Sequence, residues 1–280
     1  MELKFVTLAD LADTIRKNLW KVPRDIDYIV SIPRSGTIAA SIISSFLNVP
    51  LIDINSLVAG VKPYGGGRLM YFKPSHTGRA LVVDDTVWGG GAKEGARAKL
   101  SRVGGMEFIF MVVYLEGPGE KFVDLWLEDM RGYTDNFRQI VLYEWNIMQH
   151  HENNMRRFLF DLDGVFCLDP PDEREVKEYE SYISNATPLF IPRSPLGGII
   201  TYRLEKYRGK TEEWLHGQGI SYGRLVMCDS RSISPHLYKG RYYRDHDFSL
   251  FIESERGQAE KIAKISGKPV YCVESNRVYQ

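Results

Sequence analysis

Short apolar runs alternating with stretches of helical spacing constrain this chain more than any other feature. In the first half, Tyr28 to Ile32, Pro50 to Ile54, Ala80 to Val83 and Glu107 to Tyr114 are runs of strand length. Leu8 to Trp20, Thr37 to Leu47 and Ala92 to Val103 carry apolar residues at helical spacing between them. A strand that is apolar throughout is covered on both faces. Strand and helix in alternation therefore predict an α/β fold with a mainly parallel sheet and helices on both sides. Residues 55 to 79 are polar and glycine-rich, and read as a mobile excursion.

The pattern repeats in the second half. Arg157 to Phe160, Gly198 to Thr201, Arg224 to Met227, Leu250 to Ile252 and Val270 to Val273 predict the strands of a second α/β sheet. Between them, Asn146 to Arg157 is polar and lacks an apolar period. The expectation is two domains, residues 1–150 and 156–280. A chain of 280 residues is long enough for both. Lys plus Arg equals Asp plus Glu, 36 against 36, so nothing in the charge points to a nucleic-acid or membrane surface. The start of the chain has neither the apolar run of a signal peptide nor that of a membrane span. Three scattered cysteines, Cys167, Cys228 and Cys272, form neither a disulfide framework nor a zinc motif. A reduced, cytoplasmic setting is expected, and a homo-oligomer is compatible with this composition.

Ligands of open α/β sheets bind beyond the carboxyl ends of the strands. After Val82-Val83 come Asp84 and Asp85, then Trp88, Gly89, Gly90, Gly91 and Ala92 opening a helix. Adjacent carboxylates suit two hydroxyls or a hydrated Mg²⁺. Glycines let backbone N–H groups approach a phosphate at the helix N-terminus. Upstream, Ile32-Pro-Arg-Ser-Gly36 is a tight turn with a cation, suited to a diphosphate.

This arrangement resembles the type I phosphoribosyltransferases over about residues 1–148. The resemblance implies that Asp84 and Asp85 hold the ribose hydroxyls of phosphoribosyl diphosphate and that Trp88 to Ala92 hold its 5-phosphate. Arg34, Ser35 and Gly36 fall in the diphosphate loop, and residues 55–79 become the loop that closes during reaction. Lys62, Arg68 and Lys73 are candidate cations there. One departure stands out: the family loop carries Thr or Ser hydroxyls, and here it reads Trp-Gly-Gly-Gly-Ala. The tail Tyr143-Glu144-Trp145 is similar to that of xanthine-guanine-type transferases. Trp145 either stacks on a purine-like base or packs as a hood residue, and both readings stand.

The second block places Asp161 and Asp163 at the end of the strand Phe158-Leu-Phe160, followed by Gly164. Residues i and i+2 of an extended segment share a side, so both carboxylates are expected to meet one Mg²⁺. The first can attack phosphorus; the second can protonate the leaving oxygen and later activate water. Residues 156–280 resemble the haloacid dehalogenase-like phosphohydrolases, including their nucleotidase and polynucleotide-phosphatase-like members. That resemblance implies a Rossmann-like sheet with little or no cap. It makes Thr201 the phosphate-binding hydroxyl and Lys239 the cation that neutralises a phosphoaspartyl intermediate. Glu253 becomes the further metal ligand, with Glu255 the alternative, because Ser254 replaces an acid of the motif. His150 and His151 read as solvated linker residues, and His236 as a neighbour of the cleft outside catalysis.

Together these readings predict a bifunctional enzyme. One domain transfers phosphoribosyl from phosphoribosyl diphosphate to a base; the other is a Mg²⁺-dependent phosphatase acting on a phosphomonoester. The rival is a domain that senses nucleotide or phosphoribosyl diphosphate and controls the phosphatase without transferring anything.

Overall fold

The computed structural model describes residues 2–63, 67, 78–134, 139–171 and 176–280. It divides into two units, Met1–Trp145 and Asn146–Gln280.

In the first unit β2 (Tyr28–Ser31), β3 (Leu51–Asp53), β4 (Arg79–Val87), β5 (Glu107–Leu115) and β6 (Leu125–Asp129) form a sheet in the order β3-β2-β4-β5-β6, parallel throughout. Alternation along β4 decides what packs on each face. Leu81 and Val83 meet Leu11 and Ile15 of α1 (Leu8–Asn18) and Ala39, Ala40 and Ile43 of α2 (Gly36–Leu47). Ala80 and Val82 meet Leu57 of α3 (Ile54–Val58) and Ala96 and Leu100 of α4 (Gly91–Leu100). Each fully buried Leu, Ile or Val contributes about 1.5–3 kcal/mol, so the two clusters hold the sheet between its helices. Thr7 starts α1 with a capping box, its hydroxyl accepting from Asp10 N while the Asp10 carboxylate accepts from Thr7 N.

Three strands were not expected, the edge strand β6 among them. β1 (Glu2–Val6) pairs in parallel with β7 (Gln139–Tyr143) as a separate ribbon. Part of the anticipated excursion is ordered, since Ile54–Val58 is helical with Asp53 capping it. The expectations for Arg68 and Lys73 lie outside the described residues; Lys62 is exposed.

The second unit is a sheet of β8 (Phe158–Phe160), β9 (Gly198–Leu204), β10 (Leu225–Cys228), β11 (Leu250–Glu253), β12 (Val270–Cys272) and β13 (Arg277–Tyr279), ordered β10-β9-β8-β11-β12-β13. All pairings are parallel except the antiparallel β12–β13 edge, a strand the apolar pattern did not predict. The order places β8 between β9 and β11, so the chain leaving β8 emerges beside both neighbours. Leu159, Ile200, Phe251 and Val270 pack with Tyr243 of α10 (Pro235–Asp245) and Ile262 of α11 (Arg256–Ser266). Between β8 and β9, α8 (Val176–Asn185) buries Tyr179 and Ile183 against Tyr207 and Met227; α9 (Arg208–Gly217) follows.

The polar stretch Asn146–Arg157 is not a bare linker. After α5 (Arg131–Thr134), α6 (Glu144–Ile147) and α7 (Glu152–Met155) occupy it, and Ile147 and Met155 are buried. His151 caps α7, and half-buried His150 lies edge-on to Phe158, with burial lowering its basicity. Among the described residues no helix is long and apolar enough to cross a membrane.

Candidate functional site

The carboxyl end of β4 is the chemically loaded part of the first unit. Asp84 and Asp85 are 8% and 3% exposed, and every one of their carboxylate oxygens has a protein donor. Asp84 Oδ1 accepts from Asp85 N at 2.9 Å, and Asp84 Oδ2 accepts from Lys93 Nζ in a short contact. Asp85 Oδ1 accepts from Ser35 Oγ at 2.9 Å, and Asp85 Oδ2 accepts from Trp145 Nε1 at 2.6 Å. Burial pushes the Asp84 carboxyl up to about 7; Lys93 opposes the rise and the Asp85 charge adds to it. With a donor on each oxygen and an ammonium already on Asp84, a divalent ion held directly by this pair does not fit the donor set.

The turns on either side are built for close approach. A Cβ on Gly36 would stand 2.6 Å from Asp84 Oδ1 and 2.8 Å from its Cα, so only glycine lets α2 begin against this strand end. Gly90 has φ +72°, and a Cβ there would meet the Phe122 ring at 2.5 Å. The hollow bounded by Thr86 to Lys93 measures about 230 Å³ and opens on the first turn of α4, where N–H groups without helical partners point outward. Trp88 is half exposed and lies on Gly117, while Gly89, Gly91 and Ala92 are exposed. Arg34 is also exposed, follows a cis Pro33–Arg34 peptide bond, and sits in the turn that brings Ser35 to Asp85.

Trp145 is thus tied to the acidic pair rather than merely near it. Tyr143 packs on Trp145 with centroids 5.0 Å apart, and the Tyr143 hydroxyl bonds the Glu116 carboxylate. Burial pushes the Glu116 carboxyl up to about 7; the Tyr143 hydroxyl opposes this and Asp85 adds to it. Lys93 and Glu116 belong to no motif, which is why the sequence hid them. Lys93 is three residues into a helix, and helical side chains lean back toward the N-terminus, so a lysine there returns to β4.

In the second unit Lys239 is 3% exposed and donates to Asp161 Oδ2 at 2.7 Å and to Glu253 Oε2 at 2.9 Å. Both acids are buried, and burial together with the Glu253 charge raises the Asp161 carboxyl against the pull of Lys239. The same neighbours hold the Lys239 ammonium charged despite its burial. Thr201 is fully buried and its hydroxyl reaches Asp163 Oδ2 at 3.4 Å.

Asp163 departs from expectation. Its carboxylate is gripped by Arg203, with Nη2 at 2.5 Å from Oδ1 and Nε at 3.1 Å from Oδ2, and by the Tyr182 hydroxyl at 2.7 Å. Despite burial, Arg203 holds that carboxyl below the usual range. Asp161 and Asp163 are therefore held by different partners instead of converging as side chains on one ion. Among the described residues no group of three or more His, Cys, Asp and Glu is arranged to hold a metal. Arg203 lies two residues after Thr201 on β9, and a period of two was the signal that could have found it.

A cavity of about 580 Å³ joins Asp161, Asp163 and Lys239 to Asp169, Glu255 and Glu274. Gly164, at φ +75°, lies so close to Ser254 that a Cβ would approach its Cβ to 2.5 Å and Asp169 Oδ1 to 3.0 Å. Ser254 Oγ donates to Glu253 Oε1 at 3.2 Å, and Glu255 lies on the rim, bonded by Gln258. Carboxylates outnumber cations in this lining, and Asp161 offers hard oxygens there, with Glu253 fully buried behind Lys239. Every oxygen of Asp161 and Glu253 also has a protein donor, Leu162 N and Lys239 on Asp161 and Ser254 and Lys239 on Glu253, so this pair fits Mg²⁺ only where Lys239 gives it up. His236 meets Ser234 rather than the acids, and the three cysteines are buried and unbridged.

No family model matches the chain. It is similar to the xanthine-guanine phosphoribosyltransferase of Chromohalobacter salexigens, with 33% identity over 110 residues, 39% of this chain and 65% of that protein. The chain thus spans just under two thirds of that relative. Among solved structures, the Helicobacter pylori xanthine-guanine-hypoxanthine phosphoribosyltransferase covers 52% of this chain and 95% of its own, at TM-score 0.38 and 13% identity. A purine phosphoribosyltransferase from Pyrococcus horikoshii covers 52% and 94%, at TM-score 0.36 and 19% identity.

Proposed function

We propose that the chain carries two phosphate-handling sites: a phosphoribosyltransferase site for a purine-like base in the first unit and a phosphomonoesterase site of haloacid dehalogenase type in the second. One observation carries this reading. Each unit sets buried carboxylates and a buried lysine toward the carboxyl end of an interior parallel strand, Asp84 and Asp85 late in β4 with Lys93 of α4, and Asp161, Glu253 and Lys239 around β8.

In the first unit, the C1–O bond to diphosphate breaks and a C1–N bond to the base forms, the base nitrogen giving up its proton to water. Asp84 and Asp85 receive the ribose hydroxyls and face the positive charge that develops on the ring. The turn Trp88 to Ala92 and the N-terminus of α4 receive the 5-phosphate. Arg34 offers its charge to the departing diphosphate, and Trp145 a face for the base. No step is routed through a metal on Asp84 or Asp85. The partial sequence likeness to a xanthine-guanine phosphoribosyltransferase supports this half.

In the second unit, a carboxylate oxygen of Asp161 attacks phosphorus as the ester P–O bond breaks, and the leaving oxygen takes a proton from solvent water. Asp161 and Glu253 would hold Mg²⁺ where Lys239 leaves them, and the ion would supply charge neutralisation of the phosphoryl oxygens. Thr201 donates to those oxygens and Lys239 neutralises the acyl phosphate. Water then cleaves it, giving up its proton to Asp163. The ionised state that Arg203 imposes suits Asp163 to this second role; to act first as the acid it must let go of Arg203.

The test is a single incubation of base, phosphoribosyl diphosphate and Mg²⁺ with the wild type and with Asp161→Asn. The wild type should release diphosphate and then phosphate, and the variant should accumulate nucleotide. Equal nucleotide from both proteins would refute the coupling, and an absence of diphosphate would refute transfer. A second reading rests on the loop without hydroxyls and on the Lys93–Asp84 pair: the first unit binds its ligand without turnover and controls the phosphatase. A ligand-dependent phosphatase rate without diphosphate release would favour it.

A further inference from the structure

Lys93 occupies a place where a lysine is unfavourable on general grounds. It is the third residue of α4, at the positive end of the helix dipole, and is 1% exposed. A buried ammonium persists only when paired. Its partners are the Asp84 carboxylate and, at 3.2 Å, the Thr86 carbonyl oxygen. It also lines the hollow with Trp88 to Ala92, so the charge stands at the junction of the phosphate turn and the acidic pair.

Two carboxylates beside that turn repel an anionic ligand, and a cation between them and the turn offsets the repulsion. Here the chain supplies one. We propose that Lys93 is the built-in cation of this site, through which the first unit holds a ribose 5-phosphate group without a divalent metal ion. The inference rests on the reading of that unit as a ribose-phosphate site. Lys93 acts through Asp84 as a positioning residue: it offsets that charge and fixes the carboxylate toward the strand end, so that an anion at the turn faces one uncompensated carboxylate instead of two.

The experiment uses the full chain carrying Asp161→Asn, which blocks hydrolysis of the probe, labelled with 5-fluorotryptophan. Ribose 5-phosphate is titrated while the ¹⁹F signals of Trp88 and Trp145 are followed, once with chelator and once with Mn²⁺. The parent should bind with the same Kd, within about twofold, in both conditions. Lys93→Met should weaken binding about tenfold or more in chelator, the loss of a charge-assisted bond, and recover with Mn²⁺. Lys93→Arg should remain independent of metal. Electron paramagnetic resonance supplies a second readout: Mn²⁺ bound per chain should be unchanged by Asp84→Asn in the parent and should rise in Lys93→Met. The EPR comparison on the parent stands even where Lys93→Met does not fold.

A parent that binds only with Mn²⁺, a Lys93→Met protein that binds equally well under both conditions, or Mn²⁺ lost from the parent on Asp84→Asn would each overturn the proposal. If no protein binds ribose 5-phosphate in either condition, it is the reading of the first unit that falls.

Discussion

The grip of Arg203 on Asp163 should be measurable as a coupling energy. Arg203 is 1% exposed, its guanidinium meets one carboxylate through Nε and Nη2, and Tyr182 adds a third donor. Removing one member of such a pair leaves an uncompensated buried charge and costs about 3–5 kcal/mol. Arg203→Met and Asp163→Asn should each fall near that range at about pH 8. The double variant removes both charges and should cost roughly 3 kcal/mol less than the sum of the singles. Trp214 is buried in the second unit and bonded to the Ala186 carbonyl, so its ¹⁹F signal under urea reports unfolding of that unit alone. The sign with pH is also set. Arg203 holds the Asp163 carboxyl below its ordinary value, so the stability it contributes is present above that ordinary value and lost as pH falls through the lowered one. The Arg203→Met penalty should therefore shrink toward acid, where the stranded carboxylate takes up a proton. Additive singles, with a coupling under about 0.5 kcal/mol, would show that Arg203 and Asp163 do not hold one another.

Three further outcomes follow from the same geometry. Gly36→Ala places a Cβ against Asp84 and should cost about 1–3 kcal/mol and abolish ribose 5-phosphate binding, read by denaturation and titration; unchanged binding would show that the α2 turn is not part of the site. Burial raises the carboxyls of Asp84 and Glu116 to about 7, so their stabilising contribution is complete below the ordinary carboxylate value and fades as pH rises through 7. Melting of the first unit should fall between about pH 5 and pH 8, and Asp84→Asn with Glu116→Gln should flatten that slope. Lys239→Met strands two buried carboxylates, and should cost about 3–5 kcal/mol and abolish p-nitrophenyl phosphate hydrolysis; retained hydrolysis would remove Lys239 from the site.

The alternation of apolar runs and helical spacing made both parallel sheets legible, because a strand buried on both faces must be apolar where it is covered, as Ala80 to Val83 of β4 are. The edges were not legible. β1, β7 and β13 are stabilised by pairing with distant strands, which leaves little trace in local periodicity. At the sites, the acids stood out because adjacent or alternate carboxylates at a strand end are unusual. Their partners did not. Lys93, Glu116, Arg203 and Tyr182 come from separate elements, and single charged or phenolic residues look like surface until the fold buries them. Asp163 shows the consequence: spacing put it beside Asp161, and a cation from β9 turned its carboxylate elsewhere.

Two separate phosphate sites in one chain are tested most directly by hydrogen exchange of the Asp161→Asn protein with ribose 5-phosphate and Mg²⁺. Slowed exchange is expected in two groups of peptides, one spanning residues 31–37 and 84–93 and the other spanning 158–164 and 199–203. Protection in only one group, or in neither, would contradict the two-site reading.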